Sequence, residues 1–186
     1  MHKSLLVLGL CLGPGSAASA QSVSGYSTSG YSTAGYASEA SSTAVYRNER
    51  FGFELTYPST VFEPSETPGG GQGMVFMSRD GAARLLVSAG QNETGETLRS
   101  YRRFVLSKTY ADARVEYAPV RGSWFVLSGT NGDTMFYERI TFRCAGRTIY
   151  GWQMTYPVAE REIYDPIVEA IHRSYRPGRG EGGNCG

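Results

Sequence analysis

Few residues in this chain could do chemistry, and their spacing narrows the options. Histidine occurs only at His2 and His172. A Ser-His-Asp site would need His172 as its base. That residue sits between Ile171 and Arg173 in an apolar-striped segment, with no Gly-x-Ser-x-Gly elbow anywhere. A satisfied structural or surface histidine fits this context better. Zinc needs several His and Cys in close spacing, and Cys144, Cys185 and His172 are too scattered. The run Gly69-Gly70-Gly71 lacks the Lys and Ser/Thr that follow a phosphate cradle. Asp80-Gly81 does not continue as a calcium loop. No cofactor is implied.

The remaining candidates are one carboxylate and a set of aromatics. Glu138 falls mid-way along a run that reads as a strand, on the same side as Phe136, Ile140 and Phe142. An Asn131-Gly132 turn sets Phe125 opposite it. The next strand's best apolar positions, Tyr150, Trp152, Met154 and Tyr156, are also even-numbered. Matching them to the even positions before the turn needs an odd loop, Cys144-Ala145-Gly146, which sets Trp152 opposite Glu138. A bare carboxylate between two aromatics costs several kcal/mol. Glu138 therefore needs a partner, with an arginine, Tyr164 or His172 as candidates, or it opens onto a cavity. A structural ion pair, a partly exposed sheet end, and a binding or acid/base carboxylate all remain open. Tyr150 and Trp152 could stack a ligand beside it, but the same spacing fits one sheet face under a helix. Arg99, Arg102 and Arg103 could meet an anionic partner; a solvated helix face explains them as well.

The elements that must position these residues read as follows. Residues 51–57 alternate as a strand ended by Pro58, and residues 59–72 form a loop. Residues 74–78 and 82–89 are strands around an Arg79-Asp80-Gly81 turn. Residues 97–110 are helical, with Leu98, Tyr101 and Val105 on one face. Strands at 123–129, 134–143 and 147–156 make a meander. The closing helix starts with Asp165 as N-cap and Pro166 at its first position. Its apolar stripe is Ile167, Val168, Ile171 and Tyr175. Residues 178–186 are a Gly-rich tail, mobile unless Cys185 ties it down. The order predicts an α+β fold, an antiparallel-rich sheet with helices on both faces.

Upstream, Lys3, the apolar run at residues 5–12, and Ala18-Ser19-Ala20 form a secretory signal with a cut between Ala20 and Gln21. The run is too short for a transmembrane span of about 20 residues. The next residues repeat with period five, Gly25-Tyr26, Gly30-Tyr31 and Gly35-Tyr36. Their composition predicts a disordered tether over 21–44, with tyrosine stickers as the alternative reading. The formal charge of +1 loses Lys3 on cleavage, which leaves a neutral chain and no case for nucleic acid. Cys11 leaves with the signal. Cys144 and Cys185 then form one disulfide in an oxidising compartment, or stay as two free thiols.

The run Phe51-Gly52-Phe53-Glu54-Leu55-Thr56-Tyr57-Pro58, with the order hairpin, helix, meander and closing helix, resembles PsbP-like domains. The block from Trp124-Phe125-Val126-Leu127-Ser128-Gly129 to Tyr164-Asp165-Pro166-Ile167-Val168 is similar to a group of exported bacterial proteins. The resemblance spans residues 46–177 and implies an α-β-α sandwich over 45–177. It brings accessory and binding roles and no catalytic residue. It also points to a bacterium, which discounts Asn92-Glu93-Thr94 as a glycosylation site. The expected protein is a secreted or periplasmic, non-enzymatic domain that binds an envelope protein or a small ligand. Glu138, Tyr150 and Trp152 are its candidate binding residues. The alternatives are a hydrolase-like periplasmic enzyme and an adhesion module built on the tyrosine repeat.

Overall fold

Three long strands at the middle of the molecule are apolar on both sides, so both of their faces are buried. These are β8 (Trp124–Asn131), β9 (Thr134–Arg143) and β10 (Thr148–Pro157). The computed structural model describes residues 42–185. Before the meander come β1 (Thr43–Arg47), β2 (Glu54–Pro58), β3 (Phe62–Glu66), β4 (Gly73–Ser78), β5 (Arg84–Gln91), α1 (Leu98–Lys108), β6 (Arg114–Tyr117) and β7 (Val120–Arg121). The closing helix is α2 (Arg161–Ser174). The main sheet is antiparallel, in the order β3-β4-β5-β10-β9-β8-β6, with β7 on β8; β1 and β2 pair separately.

Two core clusters flank this sheet. Phe136, Ile140 and Phe142 of β9 pack with Phe125, Leu127, Ile149, and Tyr101 and Val105 of α1. Tyr150, Trp152 and Met154 of β10 pack with Phe53 and Leu55 of the β2 region and with Tyr164, Val168 and Ile171 of α2. Each fully buried aromatic contributes roughly 1.5–3 kcal/mol through the area it removes from water. Helix α1 starts on a reciprocal cap. Thr97 Oγ1 accepts from Ser100 N at 3.1 Å, and Ser100 Oγ accepts from Thr97 N at 2.9 Å. Arg99 and Arg103 lie on its exposed face, and Arg102 reaches the Ala118 carbonyl.

Several expectations are corrected. Residues 59–72 contain β3, paired to β4 with a register shift near Pro64. Helix α2 begins four residues before Asp165, so Pro166 lies inside it and Asp165 caps nothing. The first meander turn is Gly132-Asp133, with Asn131 paired to Thr134. Gly132 alone takes positive φ (58°), the sign pattern of a Gly-x hairpin turn. The second loop has four residues, not three: Arg143 pairs with Thr148. Cys144 and Ala145 both take positive φ, and Gly146 N donates to Arg143 O at 3.0 Å. The parity argument failed because it assumed one buried face per strand.

The tail is tied down. Cys144 and Cys185 form a disulfide. Gly180 N donates to Tyr150 Oη at 2.7 Å, and Glu181 pairs with Arg50 at 2.7 Å. Gly178 sits so close to the Phe51 carbonyl that a Cβ would lie 1.8 Å from it, so only glycine fits. The signal segment, its cut and the tyrosine repeats lie outside the described residues. Of the expected tether, Thr43 and Ala44 belong to β1. No helix among the described residues is long and apolar enough to cross a membrane.

Candidate functional site

Glu138 is buried, at 1% exposure, but its surroundings are not those expected. The observed registers set Leu127 and Gln153 opposite it, in place of Phe125 and Trp152. Its partner is Tyr110, beyond the end of α1, and not an arginine, Tyr164 or His172. The Tyr110 hydroxyl also accepts from Gln153 Nε2 at 2.8 Å. Tyr110 stacks on Phe136 with ring centroids 4.1 Å apart, which holds the hydroxyl over the strand. Glu138 Oε2 has no partner. Burial raises the carboxyl from 4.5 to about 7, against a smaller lowering by the Tyr110 hydrogen bond.

Trp152 and Tyr150 do not join Glu138. Trp152 pairs with Arg139 and Tyr150 with Thr141, so both project from the opposite side of the sheet. Each is fully buried. The Tyr150 hydroxyl donates to Phe51 O at 3.1 Å and so pins the loop before β2. These are core residues.

One concavity of the structure lies between α2 and the β8–β9 pair. It holds about 350 Å³, with Trp124, Val126 and Tyr137 as floor and Val168, His172 and Arg173 as wall. Alternation along β8 and β9 puts the floor residues on one face. Val168 and His172, and Glu169 and Arg173, are two pairs four residues apart on α2, so they form two adjacent rows that line the cleft. Tyr137 Oη and His172 Nδ1 are 2.7 Å apart. With the tyrosine as donor, His172 carries its proton on Nε2. Burial, then Arg139 and Arg173, hold His172 below its usual pKa, so it is neutral at pH 7. Burial raises the Tyr137 hydroxyl to about 12.

Behind the floor, the Arg139 guanidinium lies 4.6 Å from the Trp124 ring centre and 5.7 Å from that of Tyr175. Its Nε has no partner. Trp152 stacks under Tyr137 at 4.9 Å and fixes that ring from the core. At the mouth, Tyr117 is 56% exposed. His172 Nδ1 faces a phenol and no carboxylate, so the orienting group of a Ser-His-Asp triad is absent at this histidine. Among the described residues no three His, Cys, Asp or Glu gather as a metal site. The arrangement can stack, bury an apolar group and offer N–H donors.

The sequence named His172 but gave no sign of Tyr137 or Trp124 as its neighbours. That contact depends on where α2 crosses the sheet.

No family model matches the chain, and no curated protein does. The solution structure of cyanobacterial PsbP (CyanoP) from Synechocystis sp. PCC 6803 superposes with a TM-score of 0.56 at 15% identity, over 77% of this chain and 97% of that one. This chain has the PsbP-like fold. A second solved structure is the Saccharomyces cerevisiae Ran-binding protein Mog1p, with a TM-score of 0.49 at 10% identity, over 74% of this chain and 96% of that one. At 15% identity the likeness to the cyanobacterial protein is one of fold, and no functional residue transfers with it. The PsbP-like sheet supplies the floor of the α2 cleft; the side chains that line it are this chain's own.

Proposed function

We propose that this chain is an exported, non-enzymatic binding domain, and that the cleft between α2 and β8–β9 is where it engages a partner protein. One observation carries the reading: a concave aromatic floor, Trp124 and Tyr137, opens beside exposed Tyr117. Aromatics of this kind, placed at a half-open cleft, are the usual anchors of a protein interface. The domain is an α-β-α sandwich, with α1 on one sheet face and α2 on the other. The two separate core clusters, one holding each helix, support that arrangement. Residues 1–20 are a signal cut before Gln21, and residues from 21 to the start of β1 are a tether. The Cys144–Cys185 disulfide supports an oxidising compartment.

The test is retention of an envelope protein on immobilised mature domain. Trp124→Ala should abolish retention while leaving the melting temperature within a few degrees. Deleting residues 21–41 should leave retention intact. The reverse pattern, loss on deletion and none with Trp124→Ala, would assign binding to the tyrosine repeat instead.

A further inference from the structure

The charge around the cleft goes further than its shape. Arg121 pairs with Trp124 across β7–β8 and so projects from the same face. Arg139 lies against Trp124, Arg173 forms part of the wall, and Arg176 is close enough to act on Arg139. The cleft itself holds one carboxylate, Glu169. Its pairing with Arg173 is loose, at 3.4 Å, with both side chains about 70% exposed, and such a pair is worth little. Among the described residues, Arg121, Arg139 and Arg176 have no carboxylate at ion-pair distance. The α2 carboxyl end offsets part of the Arg139 charge through the His172 carbonyl at 3.5 Å. Nothing comparable answers Arg121. Burial is the main cause that holds His172 low, and the charges that add to it are those of Arg139 and Arg173.

Taking the α2 cleft as the binding site, we infer that it takes an acidic segment of its partner protein, one apolar side chain flanked by Asp or Glu. The apolar side chain fits between Trp124, Val126 and Val168. A flanking carboxylate meets His172 Nε2–H and Arg173, with Arg121 outside the mouth for a second. A volume of about 350 Å³ suits one side chain and its backbone. The complementary charge selects an acidic neighbour over a basic one.

The test uses the mature chain, residues 21–186, and the indole N–H resonance of Trp124. Trp152 is buried in the core and serves as the internal control. Four probes are titrated: a blocked Gly-Glu-Phe-Glu-Glu-Gly peptide, the same peptide with Gln for Glu, the same with Lys for Glu, and free 3-phenylpropionate. The acidic peptide should shift Trp124 and bind at least about tenfold tighter than the Gln peptide at low salt. The gap should close at high salt, where the Debye length is short. Arg173→Gln and Arg121→Gln should each narrow it several-fold. Equal binding of the Gln peptide, or tighter binding of the Lys peptide, overturns the acidic class but leaves the cleft as the site. Phenylpropionate binding as tightly as the acidic peptide overturns a partner-protein segment in favour of a small carboxylate. No shift of Trp124 with any probe overturns the inference. If the retained envelope protein also ignores Trp124→Ala, the cleft itself is wrong.

Discussion

A carboxylic acid enclosed by Tyr110, Gln153 and Leu127 makes Glu138 the residue whose ionisation matters most for stability. The folded chain keeps its proton up to about pH 7, whereas the unfolded chain releases it near 4.5. Between those values the folded state binds more protons, so stability falls as pH rises. The contribution is full below 4.5 and lost through about pH 7, a swing of roughly 3 kcal/mol. Glu138→Gln cannot ionise and should remove that slope. Urea unfolding at pH 5 and pH 9 measures it: the variant should match wild type within about 1 kcal/mol at pH 5 and exceed it at pH 9. Parallel curves for the two proteins would mean that the group titrates normally and is reached by water. Partner retention should not change with Glu138→Gln, because the cleft lies on the other face of the sheet.

Among the elements, α1 depends visibly on its first turn. The Thr97–Ser100 reciprocal cap satisfies backbone donors that the helix leaves orphaned, and no acidic residue in that turn adds to it. Thr97→Ala should cost about 1 kcal/mol, read as a lower urea midpoint with unchanged slope. The β9–β10 hairpin carries a different lesson. Both strands are apolar on both sides, so alternation could not tell which face of one matches which face of the next. Sequence parity favoured a three-residue loop; the chain uses four, with Cys144 and Ala145 left-handed. That one-residue difference moves Trp152 to the face opposite Glu138 and dissolves the expected site.

At the scale of the whole molecule, the disulfide closes a separation of 41 residues between the meander and the tail. The tail in turn holds the loop before β2 through Arg50–Glu181 and through Gly182 N to Arg50 O at 2.8 Å. Cys185→Ser should lower stability by roughly 2–4 kcal/mol through the longer free loop of the unfolded chain. It should also speed amide exchange at Gly180 and Gly182 before any in β9, since the tail opens locally first. Equal exchange in both proteins would mean that the tail is held without the bridge. Mass spectrometry of the exported protein should find Gln21 as its first residue; an intact Met1 on that form would remove the cleavage reading.

Local chemistry in the sequence was enough to specify the meander, α1 and the α+β class, and to offer the disulfide beside two free thiols. Alternation, a helical stripe, turn residues and an even cysteine count each depend on near neighbours or on simple counting. The short strands β3, β6 and β7 were not legible: Pro64 disguised one, and the others are too brief to show a period. Burial of Glu138 was one of the readings, because it shares a strand face with Phe136, Ile140 and Phe142; a partly exposed sheet end was another. Its partner was not foreseen, since Tyr110 arrives from another element. The α2 cleft was decided by tertiary structure alone. His172, Tyr137 and Trp124 are far apart in sequence, and only the crossing of α2 over β8 and β9 brings a phenol, an imidazole and an indole to one surface.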